Sequence, residues 1–150
     1  MIFYLDASAL VKRYVAEAGS LEVGAAISQA ALTGTALISR AEVVAGLARA
    51  VRVSALTREE ALAALQVFRS EWADLVRIQV TEIVVARADA LAWDHGLRGY
   101  DAVQLAAALR VQSAFSPTKS AIMTFVTADT RLITVAQAEG ATVDNPNNHL

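Results

Sequence analysis

Residues 2–5 read Ile-Phe-Tyr-Leu, an unbroken apolar run that stops at Asp6. A strand with one face in water alternates apolar and polar side chains. A run without alternation must be covered on both faces, which is the condition of a strand inside a parallel sheet. Such a strand commits the chain to helices on both sides of a sheet, and the rest of the sequence supplies them.

Ser8 to Tyr14 reads as a short helix, and Leu21 to Ala31 as a second one after the Gly19-Ser20 break. Thr35 to Ile38 is the next strand. Arg40 to Val53 follows it directly as a helix, with Val43, Val44, Leu47 and Val51 at three-to-four spacing. Ser54 to Leu75 is a further helix, with Thr57 and Glu60 in capping-box spacing and an apolar stripe of Leu62, Leu65, Phe68, Trp72 and Leu75. Val76 to Val80 alternates and is expected as an edge strand. Glu82 to Trp93 is helical, His95 to Tyr100 a loop, Asp101 to Val111 a regular alanine-rich helix, and Ser116-Pro117 another loop. Ile122 to Val126 is a strand, Arg131 to Glu139 a helix ended by Gly140, and Ala141 to Val143 a last small strand. Strands interleaved with helices give an α/β sandwich on a mainly parallel sheet. No repeat or linker divides it, so one domain over 1–144 is expected, followed by a polar tail at 145–150.

The 150 residues suffice for a hydrophobic core without staples. There is no cysteine, which excludes disulfides and thiolate-held metals. The first residues carry neither a signal-peptide pattern nor a membrane anchor, and a cytoplasmic setting is expected. Apolar residues make up 55% and charged ones 19%, which favours an apolar interface with a second subunit or a partner. The net charge of −2, from 13 basic and 15 acidic residues, argues against a protein that coats nucleic acid through its global field. Any activity on a polyanion must rest on a local basic patch and a bound metal ion.

Four acids share one address in this layout. Ligands of open parallel sheets collect outside the carboxyl ends of the strands. Asp6 follows the first strand, Asp129 lies just beyond the strand at 122–126, Glu42 is in the first turn of the helix entered from the second strand, and Asp101 begins the regular helix. Gathered carboxylates repel unless a cation or a proton compensates, and oxygen ligands without a His or Cys cluster suit a hard ion such as Mg²⁺ or Mn²⁺. Each acid also has a local explanation. Ser39-x-x-Glu42 and Asp101-x-x-Gln104 have capping-box spacing, and Asp6 and Asp129 can cap the helices that follow them. His95, before Gly96, is read as a surface or turn residue, His149 lies in the tail, and Gly96-Leu97-Arg98-Gly99 is neither of the phosphate-binding glycine motifs. Trp72 and Trp93 are read as core or interface residues.

Four segments in this order resemble the PIN domain family, and more closely its VapC-type toxin ribonucleases: FYLDASALVKRY, ALISRAEVVAGLAR, LRGYDAVQLAAAL and FVTADTRLITVAQAEG. The resemblance covers almost the whole chain and implies a three-layer α/β/α sandwich. It matches Asp6, Glu42, Asp101 and Asp129 to the family's four acids, with Ser8, Ser39 and Thr127 as supporting hydroxyl residues. It implies Mg²⁺- or Mn²⁺-dependent hydrolysis of RNA phosphodiesters, with Asp6 and Asp101 as principal ligands, Glu42 as ligand or orienter of water, and Asp129 as second-metal ligand or outer support. Lys12, Arg13, Arg40, Arg98 and Arg131 lie close in sequence to these acids and are expected as RNA phosphate contacts. The resemblance also implies a cognate antitoxin that lays a hydrophobic segment between the early helices, and a homodimer. Two other readings compete. An aspartyl-nucleophile phosphatase also places a carboxylate after the first strand, but wants a second Asp where this chain has Ser8. A non-catalytic PIN-like interaction module has no use for all four acids.

Overall fold

The computed structural model describes residues 1–115 and 122–149, and the loop expected at Ser116-Pro117 falls outside the described residues. Its five-stranded sheet, entirely parallel, is ordered β3-β2-β1-β4-β5, from β1 (Ile2–Leu5), β2 (Leu32–Ala36), β3 (Val76–Ile78), β4 (Met123–Val126) and β5 (Thr142–Asp144). The helices are α1 (Ala7–Leu10), α2 (Ser20–Gln29), α3 (Ser39–Arg52), α4 (Arg58–Glu71), α5 (Glu82–His95), α6 (Gly99–Phe115) and α7 (Thr130–Ala138).

The apolar run that opens the chain is the middle strand, and all its residues are buried. Its two faces feed two cores. Ile2 and Tyr4 pack with residues of α5, α6 and α7, while Phe3 and Leu5 pack with α1, α2, α3 and α4. This is the three-layer α/β/α sandwich, and it follows from the period-two geometry of a strand that is apolar on both faces. Phe68, fully buried on α4, stacks edge-on against Tyr14 and Trp72 at 5.2 and 5.6 Å. Truncating so large a buried side chain to alanine costs about 3–5 kcal/mol.

Several boundaries differ from expectation for local reasons. Strand β2 starts at Leu32 and stops at Ala36: the Leu37 N–H, donating to the Ile78 carbonyl at 2.8 Å, makes the last ladder bond to β3, and Ile38 already has helical backbone angles. Ser54, with φ 59°, ends α3, so α4 begins only after the capping box of Thr57 and Glu60. Helix α4 tightens into a 3-10 turn at Trp72–Asp74 before β3, which is an edge strand as expected. Helix α5 runs to His95, where Gly96 in the left-handed region (φ 65°) stops it; α6 starts at Gly99, two residues before Asp101. The segment read as a polar tail contains a 3-10 turn, Pro146–Asn148, whose Pro146 is buried beside α2. Gly19, at φ 84°, permits that approach, since a Cβ there would lie 2.7 Å from Asn147 Oδ1.

Strand order sets the address of the site. From β1 the chain moves outward to β2 and β3 on one side, then crosses to β4 and β5 on the other. The order therefore reverses between β1 and β4, and the crevice at such a reversal is where open parallel sheets hold their ligands.

Candidate active site

Asp6 stands at that reversal and is 4% exposed. Its Oδ1 accepts from Ser8 Oγ at 2.7 Å and from the Ala9 N–H at 3.0 Å, and its Oδ2 accepts from Thr127 Oγ1 at 2.6 Å. The donors come from both sides of the reversal, because Thr127 directly follows β4. Burial pushes the Asp6 carboxyl up to about 6; the bonds from Thr127, Ser8 and Ala9 oppose this, and the charge of Asp101 adds to it.

Glu42 lies in the first turn of α3, half-buried. Its Oε1 accepts from Gln104 Nε2 at 2.7 Å. Burial raises its pKa, the Gln104 bond lowers it, and the charges of Asp6 and Asp101 raise it further. Ser39 is fully buried, with its Oγ held by Gln104 Nε2 at 2.8 Å and Thr35 Oγ1 at 2.6 Å.

Asp101, in the first turn of α6, is half-buried, and among the described residues no group donates a hydrogen bond to its carboxylate. Its pKa is raised, first by burial and then by Asp129, and lowered by Arg98 and Arg131. Asp129 caps α7, its Oδ1 accepting from the Arg131 and Leu132 N–H groups at 3.0 and 3.1 Å. Thr127 Oγ1 also accepts from the Asp129 N–H at 3.1 Å, so one hydroxyl joins the first acid to the last.

The four acids thus form a chain of mutual repulsion: Glu42 with Asp6, both with Asp101, and Asp101 with Asp129. Among the described residues, no three acidic or histidine side chains already form a closed metal-binding group. Bare carboxylates that repel one another have no reason to draw tighter without a counter-charge. The donor set is nevertheless the right one for a hard cation. It is all carboxylate oxygen, and among the described residues Asp101 has no hydrogen-bond donor on it while Glu42 and Asp129 each accept on one oxygen.

The local alternatives divide cleanly. Capping does account for contacts of Asp6 and Asp129. It fails for the other two: Ser39 is the first residue of α3, with no side-chain cap bond at that helix start, and Asp101 is the third of α6. Gln104, the partner expected to close a box with Asp101, bonds Ser39, Glu42 and Tyr4 instead.

The basic residues do not act as one group. Lys12 is buried, with its ammonium bound to Glu17 at 3.1 Å and the Ala18 carbonyl at 2.7 Å, and Arg13 pairs with Glu71 at 2.8 Å. Both of these cations, expected as phosphate contacts, thus have acidic partners within the fold, Lys12 buried and Arg13 at the surface. Arg40 is exposed and lies over the Trp72 ring at 5.9 Å. Arg98 and Arg131 are the two whose charge reaches Asp101, and Arg131 also ties the α5–α6 connection to α7 by donating to the Gly96 carbonyl at 2.6 Å. His95 bonds Glu139 at 2.8 Å, away from the four acids of the site.

The model of the family described as the PIN domain matches residues 3–138. The chain belongs to the PIN domain family. Ribonuclease VapC45 of Mycobacterium tuberculosis strain CDC 1551 / Oshkosh and Ribonuclease VapC49 of strain H37Rv are each 37% identical to it over 110 residues, covering 73% of this chain and 76% of theirs. Among solved structures, FitAcB from Neisseria gonorrhoeae superposes with a TM-score of 0.66 at 19% identity, covering 99% of this chain and 100% of that one. A chain of a toxin–antitoxin complex from Klebsiella pneumoniae gives 0.61 at 17% identity, covering 95% and 96%.

In this PIN domain the residues missed by sequence reasoning are Tyr4, Thr35 and Gln104, all buried and polar. The signal was available for two of them. A tyrosine inside a fully buried strand needs a partner for its hydroxyl, and a glutamine within an alanine-rich buried helix needs partners for its amide.

Proposed function

We propose that this chain is an endoribonuclease that hydrolyses RNA phosphodiester bonds with Mg²⁺ or Mn²⁺, and that it is the toxin of a toxin–antitoxin pair. The observation that carries the reading is the electrostatic coupling of Asp6, Glu42 and Asp101 at the strand-order reversal of a chain 37% identical to two ribonucleases named VapC.

Asp6 and Asp101 are the principal ligands, Glu42 a further one, and Asp129 a second-position or outer support. A divalent ion so bound supplies positive charge for the scissile phosphate and a more acidic water. Ser8 and Thr127 hold the Asp6 carboxylate in one orientation from opposite sides of the crevice. Arg98 and Arg131, exposed beside Asp101, bind the flanking phosphates of the RNA; Arg40 is an outer candidate. The aspartyl-phosphatase alternative gains nothing here, since the Ser8 hydroxyl is spent on Asp6 where that chemistry needs an acid.

For the antitoxin, a groove of about 370 Å³ between α3 and α4 offers Val44, Leu47, Val51, Leu62 and Leu65, with Arg52 and Arg58 alongside. An amphipathic helix of the partner suits such a groove. A homodimer is proposed through α5, where Ile83 and Trp93 are 63% and 88% exposed. Among the described residues no helix is long and apolar enough to cross a membrane, and the setting proposed is the cytoplasm.

The test uses purified protein freed of any partner. It should cleave single-stranded RNA with Mg²⁺ or Mn²⁺, stop with EDTA, and lose activity in Asp6→Asn and Asp101→Asn while both remain folded. Wild-type rates in both variants would overturn the assignment.

A further inference from the structure

Gln104 lies on the buried face of an apolar helix and is 2% exposed, yet both ends of its amide are hydrogen-bonded. Nε2 donates to Ser39 Oγ at 2.8 Å and to Glu42 Oε1 at 2.7 Å, while Oε1 accepts from Tyr4 OH at 2.7 Å. The proton order along this chain is fixed by chemistry. An ionised carboxylate can only accept, so the NH₂ end of Gln104 faces Glu42 and its carbonyl end is left for the Tyr4 hydroxyl. Thr35 Oγ1 lies 2.7 Å from the Leu5 carbonyl and 2.6 Å from Ser39 Oγ. It has one proton, which the acceptor-only carbonyl takes, so the contact with Ser39 is donated by Ser39.

The bonds therefore run one way, from Tyr4 through Gln104, Ser39 and Thr35 to the carbonyl of Leu5, with a branch from Gln104 to Glu42. Leu5 is the residue before Asp6. The relay thus spans α6, α3, β2 and β1 and connects the side chain of one acid to the backbone that carries another. Every member except the half-buried Glu42 is buried, so every bond but the one to Glu42 is shielded from water. In that environment a satisfied network fixes geometry, and a broken one leaves an unpaired polar atom.

We propose that Gln104 and Tyr4 are positioning residues that fix the Glu42 carboxylate relative to Asp6 through this one-way hydrogen-bond relay. The proposal rests on the ribonuclease reading for its activity readout. Neither residue touches the substrate; each acts through Glu42. Catalytic rates are sensitive to displacements of about 1 Å, and the three bonds of the Gln104 amide restrain Glu42 against such movement.

Two variants and one spectrum test it. Tyr4→Phe removes a single oxygen and keeps the ring against Phe125 at 5.6 Å. Gln104→Met keeps the side-chain length and removes every bond. Cleavage of a single-stranded RNA should fall about tenfold in Tyr4→Phe and about 100-fold in Gln104→Met, in kcat, with KM within about twofold. In ¹H–¹⁵N spectra of metal-free protein the Gln104 side-chain amide should exchange slowly, and its resonances should move in both Tyr4→Phe and Glu42→Gln. Wild-type kcat in Tyr4→Phe overturns the positioning role, whether or not the resonances move and even if Gln104→Met does not fold. Amide resonances indifferent to both Tyr4→Phe and Glu42→Gln overturn the relay itself. Absence of RNA cleavage by the wild type falls on the ribonuclease reading instead, and the spectra still decide the relay.

Discussion

Asp6 and Asp129 both follow a strand and both cap a helix, but the surroundings of the two carboxylates differ. Asp6 is 4% exposed and takes two hydroxyl donors besides its helical N–H, one of them from across the strand-order reversal. Asp129 is half-buried and, among the described residues, its carboxylate takes only the N–H groups of its own helix. Capping explains the hydrogen bonds of the Asp129 carboxylate. It leaves the buried charge of Asp6 unexplained, since a carboxyl pushed up to about 6 is an expense that a four-residue helix does not require. The contacts beyond the cap set Asp6 apart from Asp129.

The comparison is sharpened most by Asp6→Asn, which should lower RNA cleavage by more than about 100-fold. In metal-free protein the same variant should be the more stable one at neutral pH. The folded carboxyl titrates near 6 against 3.8 in the reference state, so the native state binds more protons between those values and stability falls as pH rises through that window. The gap between variant and wild type should open from about pH 4 to 6, by at most about 3 kcal/mol, in urea unfolding with EDTA. A gap that closes with rising pH would contradict the burial argument. Next in size is Thr127→Val, which removes the donor across the reversal; cleavage should fall about 10–100-fold, with a stability loss of about 1–3 kcal/mol.

Asp129 divides the two roles. Asparagine caps as well as aspartate, so Asp129→Asn should leave the melting temperature nearly unchanged, while Asp129→Ala should cost about 1 kcal/mol. If Asp129 serves only α7, Asp129→Asn also keeps wild-type cleavage; a support role lowers it by about tenfold. The smallest effects belong to the basic residues. Arg131→Ala should raise KM for RNA a few-fold and reduce its salt dependence, whereas Arg13→Ala, whose cation is paired with Glu71, should leave both unchanged. Equal effects of the two would erase the distinction between paired and available cations.

Much of this was legible in the sequence. The unbroken apolar run at Ile2–Leu5 forced a central strand with two covered faces, and the interleaved helices followed. The common strand-end address of Asp6, Glu42, Asp101 and Asp129 came from the same reasoning. What the sequence hid was partner choice. Ser39-x-x-Glu42 and Asp101-x-x-Gln104 have the spacing of capping boxes, yet tertiary contacts take Ser39 and Gln104 from their helix ends into the buried relay. Lys12 and Arg13 are near Asp6 in sequence, but their directions were set by Glu17, Ala18 and Glu71, one of them 58 residues away. Proximity in sequence carries no information on where a long side chain ends.

The central claim is that carboxylates from separate elements of the fold act as one divalent-cation site. Calorimetric titration of Mn²⁺ into wild-type, Asp6→Asn and Asp101→Asn protein tests it without substrate. The account predicts saturable binding to the wild type that either substitution weakens by at least about tenfold. Binding that is unchanged in both variants would contradict it.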